Sequence, residues 1–510
     1  MSSAPPFSSH LSDEQRRRAS YVILFTAFLD VLGFSIIIPQ LAVYAAQFGA
    51  TPAMTGLLAS VYSMMGFLFT PFWGRLSDRI GRRPVLLYSI FGTAVGFAFF
   101  AFASSLWFLF AARIIDGITG GNIGTAQAYL SDITPPKERA KNFGLFGATF
   151  GIAFAIGPLI GSALTHLPGV WGGNLGLGAF SGTLALINWA LALKFLRETL
   201  PEATRKNAEA NKDKKRSFLT GFSRALKIPK LNQAIVIGFL ATAAFATIQG
   251  TYALYILKEY TRPLVQAEIR NDPQAAAARA LKLRSADRQT APMPAGEGAA
   301  PAGTDDPTKP YPPSLGGDFT FDGATSPDGL SWREVEKLIV RPESARLIGY
   351  IFGVIGILSL IVQGGLIRPL QKMFGEVPLV LAGTFIMAIG LMSVAIIEQI
   401  IPHVIWGQYL ACGILTLGNG IATPVLTSLV SQYAPENERG ELLGIYQSTQ
   451  SLGRIVGPNL GGVLFGSIAA GAPFIAGGII MLGAGALAFR LRDSDKEGDE
   501  NVPEGAAATV

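Results

Sequence analysis

The sequence predicts an all-α membrane protein with twelve transmembrane helices in two related six-helix halves. Three observations carry that expectation. Apolar stretches of membrane-crossing length recur along the chain, Lys and Arg gather on alternate connections, and one block of sequence returns 300 residues later. Half of the 510 residues are hydrophobic and only 15% are charged, whereas a soluble chain of this size carries roughly a quarter charged residues. The apolar stretches fall near 21–44, 54–73, 84–104, 106–130, 141–165 and 175–196, then near 231–257, 346–368, 378–398, 402–430, 439–466 and 472–491. Each is close to the ~20 residues that cross a hydrocarbon core. Lipid offers no partner to a free backbone group, so segments this apolar are read as helices. The first is longer than the apolar part of a cleaved leader and is read as a retained span.

Basic residues set the orientation. Arg16 to Arg18, Arg75, Arg79, Arg82, Arg83, Lys137, Arg139 and Lys141 lie on the N-terminus and alternate loops, while 45–53, 164–174, 399–403 and 467–472 contain no Lys or Arg. The positive-inside rule then puts both termini in the cytoplasm, and a bacterial inner (cytoplasmic) membrane is the expected location. The net charge of +6 is therefore a topology signal, and no nucleic-acid partner is expected. The resulting layout has a cytoplasmic tail (1–20), a first half (21–196), a basic cytoplasmic linker (197–230), a second half (231–492) and a tail (493–510). The second half contains a long outer insert, 258–345. Within it 264–288 reads as helical, 291–330 is rich in Pro, Gly, Ala and Asp and reads as irregular, and Ser331 with Glu334 reads as a capping box.

The repeat places spans 4–5 and 10–11 in equivalent positions. Ser131/Ser431, Pro135/Pro435, Glu138/Glu438, Arg139/Arg439, Gly144/Gly444, Gly157/Gly457, Pro158/Pro458 and Gly161/Gly461 match at one constant offset. Duplicated halves are common in secondary transporters, which hold substrate between the repeats near the membrane midplane. The rest of the composition excludes other chemistry. A single cysteine (Cys412) allows no disulfide within the chain, and three scattered histidines (His10, His166, His403) have no metal-ligand spacing. No metal or cofactor is expected, and neither a phosphate loop nor a Ser/His/Asp arrangement is present to support an enzyme.

Charges inside the spans cost several kcal/mol and are functional candidates. Asp30 lies nine residues into span 1, about 13 Å deep at ~1.5 Å per residue, and is read as a proton or substrate-coupling carboxylate in preference to a hydrogen-bonded packing residue. Arg113 and Asp116 are three apart and share a face of span 4, which Gln127 continues. Asp116 protonation would release Arg113, which cannot lose its own proton. In span 11, Gln447, Gln450 and Arg454 share a face and read as pocket lining, the alternative being that Arg454 pairs with the outer insert. Phe245, Gln249 and Tyr252 on span 7 are a candidate substrate wall, with core packing of the aromatics an equal alternative. The two intramembrane arginines favour an anionic or zwitterionic substrate over a simple cation.

The loop after span 2 contains Gly74, Arg75, Asp78, Arg79, Gly81, Arg82 and Arg83, and span 4 runs into Asp132. These charges can form a network across helix ends; the plain alternative is a basic topology anchor. Their spacing resembles the loop signature of the major facilitator superfamily. Arg113, Asp116 and Gly117 resemble that family's second motif, with Asp116 in place of its usual glutamine. Gly147, Gly151, Gly157, Pro158 and Gly161 look like the span 5 motif of drug:proton antiporters. With Asp30, Gly33, Pro39 and Leu130 to Asp132, the chain is similar to the tetracycline-efflux branch of twelve-span antiporters. In the second half Lys372 stands where Asp78 aligns, and the 258–345 insert has no counterpart in the branch. The resemblance implies a monomeric, proton-coupled exporter of small amphipathic compounds or drugs. The alternatives are a proton symporter importing organic acids or sugars, and a non-transporting receptor or scaffold acting through the insert.

Overall fold

The computed structural model describes residues 12–135, 139–165, 167, 171, 173–200, 218–271, 339–435 and 439–500. The expectations for residues 272–338, including the irregular centre of the insert and the Ser331 capping box, lie outside this range, as does 201–217 of the linker.

Among the described residues all regular structure is helical. The first set is α1 (Asp13–Gln47), α2 (Pro52–Ile80), α3 (Arg82–Ala101), α4 (Leu106–Thr119), α5 (Ile123–Ile133), α6 (Arg139–Leu164) and α7 (Asn174–Phe195). A short helix, α8 (Phe218–Lys227), precedes α9 (Pro229–Tyr255), which continues through a π-helical stretch into α10 (Arg262–Asn271). The second set is completed by α11 (Arg341–Ile361), α12 (Ile367–Phe374), α13 (Glu376–Ile400), α14 (Ile405–Tyr433), α15 (Arg439–Ser467) and α16 (Ala472–Glu500). Ser12 and Gln15 form a reciprocal capping box at the start of α1, and Thr51 Oγ1 accepts from Met54 N at the start of α2.

Among the described residues, ten helical stretches are long and apolar enough to cross a membrane. Two expected spans, 106–130 and 439–466, are helical but fall outside that set, each for a physical reason. In the first, a 3-10 turn at Gly120–Asn122 separates α4 from α5, leaving helices of 14 and 11 residues. The turn frees backbone carbonyls, and in an apolar setting these need partners. Trp73 Nε1 donates to the carbonyl of Ile118 and Ser89 Oγ to that of Thr119. The second stretch, α15, carries Gln447, Ser448, Gln450, Ser451 and Arg454 on one side, which lowers its hydropathy and, as described below, faces a cavity.

Apolar packing sorts the helices. Ile36, Leu58, Phe97, Leu109, Ala153 and Leu177 join α1–α4, α6 and α7 in one core. Ile348, Met387, Leu415, Leu426 and Phe474 join α11, α13, α14 and α16 in another, which also takes in Ala42, Val43 and Ala46 of α1. Cys412 is fully buried in the second core. Trp107, Trp171 and Trp406 are 52–76% exposed and all lie by connections that carry no Lys or Arg, where an interfacial aromatic belt belongs.

At that same end glycines let the two helix groups approach closely. A Cβ added at Gly56 of α2 would collide with the carbonyl of Pro458 on α15, and one at Gly462 would collide with that of Pro52. On the opposite flank α6 meets α11, where Cβ atoms at Gly349 and Gly356 would collide with Ser162 and Ala155. Ser60 Oγ donates to Ile455 O at 2.9 Å and Gln40 Nε2 to Ala345 O at 3.2 Å across the same divide. At the other end, around Gly74, Gly147, Gly364 and Gly444, an added Cβ would meet nothing within 4 Å. The helices therefore converge at one end and splay at the other. Gly56→Leu is expected to push this seam apart. Spin labels at exposed Met54 and Val463 should then report a distance distribution shifted outward by several ångströms, on the order of an ordinary helix displacement in gating.

Candidate functional site

Helix α4 packs close enough to α2 and α3 to bury two charges. A Cβ at Gly117 would sit 2.6 Å from the carbonyl oxygen of Tyr62, and one at Gly96 3.2 Å from Asp116 Cβ. The two glycines thus let α4 sit tightly between its neighbours. Arg113 Nη1 and Asp116 Oδ2 pair at 2.9 Å, with both residues 3% exposed. A buried pair gains from low dielectric only if desolvation is offset. Here the guanidinium also lies over the rings of Phe34 and Tyr62, at 5.0 and 4.8 Å from their centroids. Asp30 is half-buried on α1. Tyr62 lies directly against the charge pair. The sequence reading passed over Tyr62, although a hydroxyl in the middle of an apolar span was a signal for it.

The splayed end of the molecule encloses a cavity of about 1110 Å³. Its walls are α2 from Tyr62 to Pro71, the Gly120–Gly121 turn with the start of α5, Thr427 of α14, and α15 from Gly444 to Arg454. Four expected substrate residues, Gln127, Gln447, Gln450 and Arg454, line it. Arg454 Nη2 donates to Ser451 Oγ at 2.8 Å.

Phe245, Gln249 and Tyr252 of span 7 are not among the residues that line this cavity, and the aromatics follow the core-packing alternative. Tyr252 is fully buried, packs against Phe352, Tyr255 and Phe474, and lies 3.3 Å from Gln408 Oε1, to which its hydroxyl donates. Phe245 packs on the same apolar core, and Gln249 is half-buried outside the cavity. The aromatic face of α9 is spent on α14 and α16.

The basic end of the first helix group holds a separate network. Gly81 has φ +108°, a left-handed backbone that lets the chain leave α2 and start α3 at once. The new helix presents its N–H groups to Glu198, which accepts from Arg82 N at 2.9 Å and Arg83 N at 3.1 Å and also from Thr199 N and Leu200 N. Arg82 pairs with Asp78 at 2.6 Å and with Asp132 at 3.4 Å, and Thr199 Oγ1 donates to Asp132 at 3.1 Å. Burial raises the Asp132 carboxyl above its usual range, against the opposing pull of Arg82 and Thr199. Arg83 Nη2 bonds Leu193 O, Arg75 Nε bonds Pro71 O, and Arg79 is exposed in the last turn of α2. The structure thus brings Asp78, Arg82 and Asp132 together and adds Glu198, which the sequence reading left inside the linker. Its signal was an acid placed to face a helix N-terminus from a different segment, which a linear motif does not display. Gly74 has no such contact. In the second helix group Gly375 also has positive φ, but Glu376 accepts from Ser428 and Gln432 instead of an arginine.

On α6 the five glycine/proline positions divide. Gly157 and Gly161 face Ser35 and Ile36 of α1 so closely that a Cβ would collide. Pro158 meets Gly349 of α11, its carbonyl oxygen 3.0 Å from a Cβ added there. Gly147 and Gly151 lie toward the splayed end, Gly147 with nothing within 4 Å and Gly151 in ordinary contact with Leu360.

A family model described as Major Facilitator Superfamily matches residues 23–267 and 319–509. The chain is 37% identical over 185 residues to the class H tetracycline resistance protein of Pasteurella multocida, a match covering 35% of this chain and 44% of that one. It is 41% identical over 149 residues to the class C tetracycline resistance protein of Escherichia coli, covering 29% and 38%. The matched stretch thus spans less than half the length of each relative. In three dimensions the chain resembles the crystal structure of the human organic anion transporter MFSD10 (TETRAN), with a TM-score of 0.54 and 19% identity, over 95% of this chain and 100% of that one.

Glu198→Gln removes the negative charge facing the α3 N-terminus while keeping its shape. The expected loss is on the order of 1 kcal/mol, read as a fall of a few degrees in the thermal unfolding midpoint of the detergent-solubilised protein. Glu198→Ala should cost more, because it also removes the acceptor.

Proposed function

Because the chain belongs to the Major Facilitator Superfamily, we propose that it is a proton-coupled secondary transporter that exports small amphipathic compounds, drugs among them, by alternating access. The observation that carries this reading is the cavity between the two helix groups, open at one end and sealed at the other, with charge buried beside it. The open end is the one with the Arg-rich loop after α2, so the positive-inside rule makes it cytoplasmic. The described conformation is then the one that loads an export substrate from inside. The mixed lining suits an amphipathic molecule, with carboxamides at Gln127, Gln447 and Gln450 and apolar surface from Phe67, Leu68 and Ile445. The matches to tetracycline resistance proteins support a drug-export role in an inner membrane.

In this mechanism a proton entering from outside loads Asp30 or Asp116. Neutralising Asp116 weakens its hold on Arg113 and changes the packing of Tyr62, which touches the charge pair and lines the cavity. Substrate leaves through the opened glycine seam before that proton arrives; proton loading then lets the seam close and the splayed end reopen, while Asp78, Arg82, Asp132 and Glu198 keep the α2–α3 corner rigid as the halves rock. The protein acts as a monomer, with substrate, protons and lipid as its partners.

Asp30→Asn is expected to abolish pH-gradient-driven uphill transport in proteoliposomes while leaving insertion and folding intact. Gradient-driven accumulation in that variant would remove Asp30 from the coupling path. Asp116→Asn should retain transport but flatten its pH dependence, measured as initial rate across pH 6 to 8, roughly the range in which coupling groups work.

A further inference from the structure

The two arginines buried within the spans stand in opposite electrostatic settings. Arg113 has its counter-charge, Asp116, at 2.9 Å, and its guanidinium faces are covered by Phe34 and Tyr62. It is not on the cavity surface. Arg454 is on that surface, its hydrogen bond goes to the neutral Ser451, and it forms no ion pair among the described residues. The cavity lining contains this one arginine and not a single Asp or Glu. The wall therefore carries a net positive charge that nothing in the wall cancels.

We propose that Arg454, and not Arg113, selects the substrate, and that the substrate is an amphipathic monoanion whose carboxylate docks on the Arg454 guanidinium. This rests on the transport reading above and adds the charge class and the residue that reads it. Arginine keeps its proton under all physiological conditions, so the charge is permanent. While the cavity is open, water hydrates it. Closing the open end strips that water, and a buried cation without a partner costs several kcal/mol. A carboxylate offsets the cost with charge-assisted, bidentate hydrogen bonds to the guanidinium donors that Ser451 leaves over. Closure is then favoured only for a loaded cavity, which suppresses empty cycling. The position fits as well. Arg454 lies one helical turn before Pro458, where α15 seals against Gly56, so the acid enters first and the apolar body rests against Phe67, Leu68 and Ile445 nearer the mouth.

The test uses matched probes on the full-length protein: naphthylacetate, its primary amide naphthylacetamide, and naphthylethylamine. Substrate-stimulated proton flux in proteoliposomes and thermal stabilisation of the purified protein are both read. The acid is expected to act at a concentration roughly tenfold to a hundredfold below that of the amide, the range a charge-assisted pair supplies. Arg454→Gln should erase that preference, with an unchanged thermal unfolding midpoint of the unliganded variant as the control for folding. Arg454→Lys should keep part of the preference. Arg113→Gln should lower flux for acid and amide alike without changing their ratio of apparent affinities. Equal potency of acid and amide on the native protein, an unchanged ratio in Arg454→Gln, or no response to the acid overturns the proposal. Flux driven by the amide or amine alone would overturn it while leaving the transport reading intact; stabilisation by the acid with no flux from any probe would do the reverse.

Discussion

The approach of α2 to α15 at Gly56, Pro458 and Gly462, mirrored by α6 and α11 at Ser162 and Gly349, sets the geometry of everything else. Two helix groups meet along a seam in which glycines bring backbone close to backbone. Small residues at such crossings gain dispersion contact that larger ones would forbid. Because the seam occupies only one end, the helices diverge below it, and the cavity is the volume left by that divergence. The depth of Arg454 and the position of Tyr62 both follow from where the seam stops.

The second constraint is that lipid leaves no polar group unpaired. The break between α4 and α5 places Gly120 and Gly121 on the cavity wall, and it is tolerable because Trp73 and Ser89 take up the released carbonyls. Arg113 is tolerable because Asp116 and two aromatic faces surround it. Arg454 has no comparable shell, and that difference separates a structural charge from one that waits for a ligand.

Much of this was legible in the sequence. Hydropathy gave the all-helical membrane fold, because lipid leaves no partner for free backbone groups and apolar stretches of this length meet that demand as helices. The i, i+3 spacing of Arg113 and Asp116 gave their pairing, and the shared face of Gln447, Gln450 and Arg454 gave one wall of the cavity. Periodicity failed on α9. Phe245, Gln249 and Tyr252 do share a face, but a span has several neighbours, and spacing does not say which of them a face meets; Tyr252 turned toward Gln408 and the second core. Glu198 escaped for a related reason, since its partners are backbone N–H groups of residues more than a hundred positions away. Tyr62 looked like one aromatic among many until the fold placed it against Arg113.

The two ends of the molecule are held by different forces. The seam is van der Waals contact, much of it with backbone atoms, with a few hydroxyl and amide bonds to carbonyls and no ion pair across it among the described residues. When it parts, carbonyls such as those of Pro458 and Pro52 pass to water, which hydrates them readily. The corner at Gly81 is held by Arg82, Asp78, Asp132 and Glu198, partly exposed charges whose attraction ions attenuate over a Debye length of about 8 Å at physiological ionic strength. Dissolved salt therefore loosens the charged corner and leaves the backbone seam almost untouched. An environment rich in ions would soften a corner inside one half and leave the contact between the halves as it was.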